Sequence, residues 1–122
     1  MTEKYSIPAN VSAYLIDDNM LVLDALAKID KGSGRALFVQ QDGHLVAALT
    51  DGDIRRHILA NGDLKAPVRE VANYHPLSLS INERDDAIVF MREHSIDSVP
   101  LVDTSGHIVD IVTGKQIGRA HV

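Results

Sequence analysis

The strongest constraint on this chain is that it repeats itself. Val39-Gln-Gln-Asp-Gly-His-Leu-Val-Ala-Ala-Leu-Thr50 is echoed by Val102-Asp-Thr-Ser-Gly-His-Ile-Val-Asp-Ile-Val-Thr113. Val39, Gly43, His44, Val46 and Thr50 recur as Val102, Gly106, His107, Val109 and Thr113, five identities in twelve positions at a constant offset of 63. Apolar Leu45 and Leu49 recur as Ile108 and Val112. Upstream, Asp24-Ala25-Leu26 and Ile29 recur as Asp86-Ala87-Ile88 and Met91 at an offset of 62, so a one-residue length change lies between helix and strand. Such a period marks a duplicated unit that cannot bury its apolar face alone.

Each unit reads alike. Tyr14-Leu-Ile16 is a short extended piece. Asp18 and Asn19 are candidate N-caps for a helix over about Met20–Asp30, with Val22, Ala25, Leu26 and Ile29 on one face. Lys31-Gly-Ser-Gly34 stops it. Ala36–Gln40 and Leu45–Thr50 read as strands joined at Asp42-Gly43. A second helix starts near Asp51, carries Ile54 and Ile58 on one face, and ends at Asn61-Gly62. Lys65-Ala-Pro-Val-Arg-Glu-Val71 links the units. The second unit offers an extended Leu77–Ile81, Asn82 as N-cap with Asp85 three residues on, a helix to about Glu93, and strands Ser98–Val102 and Ile108–Thr113. The expectation is an α+β fold of two β-α-β-β-α repeats, packed sheet to sheet about a pseudo-two-fold axis. Residues 1–63 form the first repeat with its N-terminal segment, and 64–116 a second that stops short.

Composition removes several function classes. The 122 residues carry a formal charge of −5, against the basic face that phosphate-gripping nucleic-acid binders need. Aromatic content is 4% with no Trp, so a base-stacking platform is not expected. Without cysteine there are no disulfides, thiolate zinc sites or thiol nucleophiles, which fits a reducing cytoplasm. The longest apolar runs, Leu45–Leu49 and Ala87–Met91, are too short to span a bilayer, and the first residues lack a signal-peptide core. Neither membrane nor nucleic acid is an expected partner.

The segment Leu49-Thr-Asp-Gly-Asp-Ile-Arg-Arg56 is where chemistry could sit. A strand ends at Thr50 and a helix begins at once, so free amides and the helix dipole favour an anion such as phosphate. Thr50 adds a hydroxyl, and Gly52 lets a ligand approach the backbone. Asp53 is an acceptor pair suited to two neighbouring ribose hydroxyls, while Arg55 and Arg56 offer charge to phosphate. The same residues also suit a plain helix start, in which Thr50 or Asp51 caps and Asp53 complements the dipole for about 0.3–1 kcal/mol. Taken alone, the segment leaves both readings open.

With Ala48-Leu-Thr-Asp-Gly-Asp-Ile-Arg-Arg56 and Ser98-Val-Pro-Leu-Val-Asp103, the duplicated pattern resembles a tandem pair of cystathionine-β-synthase (CBS) domains from about Tyr14 to Thr113. In that family a hydrophobic–x–Thr/Ser–x–x–Asp motif binds the ribose and phosphate of adenine nucleotides. The resemblance implies that Thr50 and Asp53 form this clamp. It puts Arg35 and Ala36 at the base-contacting position of repeat one, and Ser98 and Val99 at that of repeat two. Thr113 matches the motif in repeat two, but Gln116 replaces its Asp; an amide accepts through one oxygen only, so an equivalent second site is not expected. The implied function is a non-catalytic regulatory module that senses AMP, ADP or ATP, whose occupancy shifts the packing of the repeats, in a homodimer. The wording Thr-Asp-Gly-Asp-Ile-Arg-Arg is similar to pairs N-terminal to sugar-phosphate nucleotidyltransferases and to pairs C-terminal to sugar-phosphate isomerases. A start close to Met1 favours the first, with a catalytic domain downstream. The alternative from another class is a ligand-free dimerisation module.

Ile117-Gly-Arg-Ala-His-Val122 back-translates as ATC GGA AGA GCA CAC GTC, the start of a common sequencing adapter, so 117–122 reads as a non-native tail. Enzyme signatures are missing. The six histidines show no His-x-x-x-His spacing, and His44 and His107 are repeat-mates after a turn glycine. Lys31-Gly-Ser-Gly-Arg35 follows a helix and precedes a strand, the reverse of a phosphate loop. Asp85 and Asp86 fall in a first helical turn, where carboxylates simply stabilise.

Overall fold

A computed structural model describes residues 9–32 and 35–114. The chain opens with a short helix α1 (Ala9–Ser12), then strand β1 (Leu15–Ile16), helix α2 (Val22–Lys31), strands β2 (Ala36–Gln41) and β3 (His44–Thr50), and helix α3 (Asp51–Leu59). The second repeat supplies β4 (Leu79–Ser80), a 3-10 turn (Ile81–Asp86), α4 (Ala87–Glu93), β5 (Ser98–Val102) and β6 (Ile108–Thr113). A helix equivalent to α3 would fall on residues 115–122, together with Gln116 and the tail, and these lie outside the described residues.

Each repeat makes a three-stranded sheet, ordered β1-β2-β3 and β4-β5-β6. In both, the first pair is parallel and the second antiparallel: Leu15 faces Phe38 and Ala36 faces Thr50, while Leu79 faces Leu101 and Ser98 faces Thr113. Strands β3 and β6 keep the 63-residue offset (Thr50 to Thr113), but β2 and β5 are related by 62 (Ala36 to Ser98), so the extra residue lies in the β5–β6 turn and not between helix and strand as expected. Each central strand divides its side chains between two cores, as strand alternation requires. Leu37 and Val39 join Val22, Ala25 and Ile54 beneath the helices of repeat one. Phe38 instead meets Val11, Leu15, Ile108 and Ile111 in a core to which both repeats contribute. That shared core is the sheet-to-sheet packing the duplication predicts. The far side of the second sheet packs Val99 and Leu101 against Ala87 and Met91.

The hairpin turns meet at the junction. Asp42 and Gly43 take positive φ (55° and 84°), as a tight two-residue hairpin demands. Gly106, the repeat-mate of Gly43, has φ 88°. Leu45 N–H donates to Gly106 O (3.1 Å) and Ile108 N–H to Gly43 O (2.9 Å), stitching one turn to the other.

Three local expectations are corrected. Asp18 and Asn19 do not cap α2; its N-cap is Leu21, with no side-chain bond. The connecting segment does that work: Val22 and Leu23 N–H donate to Ala66 and Leu64 O (both 2.9 Å), and Val68 is fully buried in the first core. In repeat two the cap is Ser80 rather than Asn82, in a reciprocal box with Glu83, and the first turns are 3-10. On α3, Ile54 is buried but Ile58 stays 44% exposed, so the apolar face is narrower than its spacing suggested.

Candidate functional site

The strand-to-helix corner forms as expected, and its side chains are spent on one another. Thr50 N–H donates to Asp53 Oδ2 (2.9 Å), and Asp53 N–H donates to Thr50 Oγ1 (3.1 Å). This is a complete capping box. The other carboxylate oxygen, Asp53 Oδ1, accepts from Arg56 Nη2 at 2.6 Å. The capping alternative is thus realised, and each Asp53 oxygen already accepts one hydrogen bond. Asp51 N–H donates to Arg35 O (3.0 Å), tying the helix start to the first residue before β2. Its repeat-mate is the bond from Gly114 N–H to Asp97 O (2.8 Å).

Beside this corner lies a cleft of about 520 Å³, within the usual range of small-molecule sites. Repeat one contributes Arg35, Ala36, Thr50 and Gly52. Phe38 and Ala48 supply an apolar wall, and Asn73 and Leu77 come from the connection. Repeat two closes it with Ser95, Ile96, Asp97 and Ser98. One buried polar atom here stands out chemically. Ser98 is 4% exposed, and its Oγ has no hydrogen-bond partner among the described residues. A buried hydroxyl left so costs about 1–3 kcal/mol.

Five expected site residues, Arg35, Ala36, Thr50, Gly52 and Ser98, are therefore brought together. Asp53, Arg55 and Arg56 do not line the cleft. Arg56 Nη1 and Arg55 Nη2 lie 3.5 Å and 3.8 Å from where a Cβ on Gly52 would sit, so both guanidinium groups converge on the helix start. Two further expected residues, Val99 and Thr113, also lie outside it. Val99 is fully buried in the helix-facing core of repeat two, where strand alternation points it away from its neighbour Ser98. Thr113, 8% exposed, pairs in register with Ser98 and does not line the cleft.

Sequence reasoning missed Asn73, Leu77 and the Ser95–Asp97 stretch. The last follows only from the 62-residue offset of the central strands, which makes Asp97 the mate of Arg35 and Ser98 the mate of Ala36. Asn73 carries no local signal; its backbone pairs with Ala48 in both directions (2.8 and 2.9 Å), which only the fold arranges. A second cleft, about 320 Å³, is lined by Asp17, Asp18 and Asp42 and would repel phosphate. Among the described residues no group of three His, Cys, Asp or Glu could hold a metal ion, and no helix is long and apolar enough to cross a membrane.

Comparison with known proteins adds independent information. The CBS domain family matches residues 68–120. A CBS domain pair of protein MJ0100, solved with 5′-methylthioadenosine and S-adenosyl-L-methionine, superposes with a TM-score of 0.72 at 24% identity, covering 98% of this chain and 94% of that one. A CBS domain protein from Pyrobaculum aerophilum complexed with AMP gives 0.70 at 18% identity, covering 88% and 91%. Arabinose 5-phosphate isomerase GutQ of Salmonella typhi is 28% identical over 103 residues, 83% of this chain and 32% of that protein. The chain spans about a third of the length of the curated relatives it matches.

Proposed function

We propose that this chain, a tandem pair of CBS domains, is a regulatory module that binds an adenine nucleotide (AMP, ADP or ATP) in the cleft between Thr50 and Ser98. The observation that carries this reading is the cleft itself, which brings Thr50, Gly52 at a helix start and Arg35 of one repeat together with Ser98 of the other. The apolar wall of Ala36, Phe38 and Ala48 suits a base, and the polar corner suits a sugar-phosphate. The adenosine-type ligands named for the solved relatives support that class. Because the cleft draws on both repeats, a ligand that prefers one arrangement of them shifts the balance toward it. A catalytic domain in the same protein would feel that shift. The likeness to arabinose 5-phosphate isomerase favours a sugar-phosphate isomerase as that domain over a nucleotidyltransferase. Cytoplasmic homodimers are the assembly that fits this reading.

A thermal-unfolding screen with AMP, ADP, ATP, S-adenosylmethionine and a guanine-nucleotide control tests it. A ligand at about 100 times its dissociation constant adds roughly 2.7 kcal/mol. That raises the melting temperature of a domain this size by several degrees. If no adenine compound moves the transition, the ligand-free dimerisation module is the better description.

A further inference from the structure

We infer that the folded chain is covalently modified at Asn61, whose side-chain amide is lost to give a mixture of aspartate and isoaspartate. Of the five asparagines, Asn61 alone precedes a glycine; Asn10, Asn19, Asn73 and Asn82 are followed by Val11, Met20, Tyr74 and Glu83. The fold calls for this dipeptide where it stands. Helix α3 ends in a two-bond turn: Asn61 N–H donates to Ile58 O (3.0 Å) and Gly62 N–H to His57 O (2.8 Å). Closing that turn puts Asn61 at φ 64°, a conformation that asparagine adopts more readily than most residues. Glycine follows because a Cβ there would run into the His57 ring, which is pinned by its own bond to Asp63 O (2.8 Å).

The reaction needs no reagent but water. The Gly62 backbone nitrogen attacks Asn61 Cγ; a bond forms between them and the Cγ–Nδ2 bond breaks. The side-chain nitrogen leaves as ammonia, carrying the proton that the Gly62 nitrogen gave up. Water then opens the five-membered imide at either carbonyl, leaving aspartate or an isoaspartate whose backbone runs through Cγ. Glycine, having no side chain, leaves its nitrogen open to this approach. Two features let the folded chain react. The Asn61 side chain is exposed, and among the described residues no hydrogen bond holds its amide. The bond that restrains Gly62 N–H belongs to a helix end with little to lose on opening. Ile58 and Leu59 are 44% and 77% exposed, and Ile54, a turn earlier, is the only buried residue of α3. Such an end opens far more often than the whole domain unfolds.

The test incubates the unaltered chain in mildly alkaline buffer and follows its peptides by mass spectrometry, with isoaspartate read by enzymatic methyl transfer. The peptide holding Asn61 should gain the mass of an amide-to-acid exchange, as both products, several-fold faster than the peptides holding Asn73 and Asn82. Its rate should rise with pH, since the attacking nitrogen must lose its proton. That rate should lie within about tenfold of the rate in the urea-unfolded chain, the protection expected of a fraying helix end. Asn61→Gln, whose extra methylene disfavours ring closure, should remove the signal from this peptide. Greater protection in the folded chain would show a closed helix end and overturn the inference. Faster conversion at Asn73 or Asn82, or no conversion in either state, would overturn it as well.

Discussion

The imidazoles of His44 and His107 stack across the junction of the two repeats, with ring centroids 4.0 Å apart and planes tilted by 34°. Each follows a hairpin glycine, and the 63-residue offset brings the two rings to the point where the turns meet. Beneath them run the two backbone bonds that tie Leu45 to Gly106 and Ile108 to Gly43. Stacked rings at this distance interact by about 0.5–1.5 kcal/mol beyond the area they cover. A double-mutant cycle with His44→Ala and His107→Ala, read by urea unfolding at pH 7.5, should return a coupling toward the lower end of that range. Additive losses would mean the rings merely lie side by side.

Gly106 takes a φ of 88°, where a Cβ is strained, and its carbonyl accepts one of the junction bonds. Gly106→Ala should therefore destabilise the chain by about 1 kcal/mol or more. Space is not the reason, since a Cβ there would meet only the His44 ring at an ordinary 3.6 Å. The melting temperature should fall by several degrees. Gly32→Ala, at extended φ, provides the comparison: its added Cβ would meet Lys28 O at 3.2 Å, so any cost there comes from crowding and not from backbone conformation.

Ser98→Ala should move stability and binding in opposite directions. Removing a buried hydroxyl with no partner relieves a penalty of about 1–3 kcal/mol, so the empty protein should melt at the same temperature or higher. The same change removes a hydroxyl that a bound nucleotide would draw toward the cleft, so AMP should bind several-fold more weakly. A parallel loss of both would mean that the Ser98 hydroxyl makes a hydrogen bond that stabilises the fold.

Much of this architecture was readable in the letters, for a physical reason. Strands β5 and β6 start and stop where the repeated segment places them, and Gly43 and Gly106 take positive φ in the two turns. The two-core arrangement follows from duplication, because one three-stranded sheet with helices on one side cannot bury its other face. What escaped were contacts made by distant backbone. Asp18 and Asn19 have cap chemistry, but the connecting segment reaches the start of α2 first with Leu64 and Ala66 carbonyls. The site divides the same way. Thr50, Gly52, Arg35 and Ala36 follow from one corner and one offset. That both Asp53 oxygens are occupied is a matter of rotamers, on which sequence is silent.

Asp103 gives the molecule an acid-side dependence whose sign can be worked out. The His107 N–H donating to its carboxylate (2.9 Å) is the largest influence and lowers its pKa below the usual 3.8. Partial desolvation opposes this, while Ser105 N–H (2.9 Å) and the His107 ring 3.6 Å away reinforce it. A carboxyl whose folded value lies below its unfolded one stabilises the fold at pH above the unfolded value. That contribution drains away as pH falls from about 4 through the lowered folded value. Asp103→Asn, which keeps one acceptor oxygen and loses the charge, should melt lower than the unaltered chain at pH 7. The gap between the two should narrow steadily below pH 4, because protonation removes the same charge from the native residue. Melting curves from pH 7 to pH 2.5 check this, and a gap that stays constant would mean the carboxylate's charge contributes nothing to the turn that carries His107 to the junction.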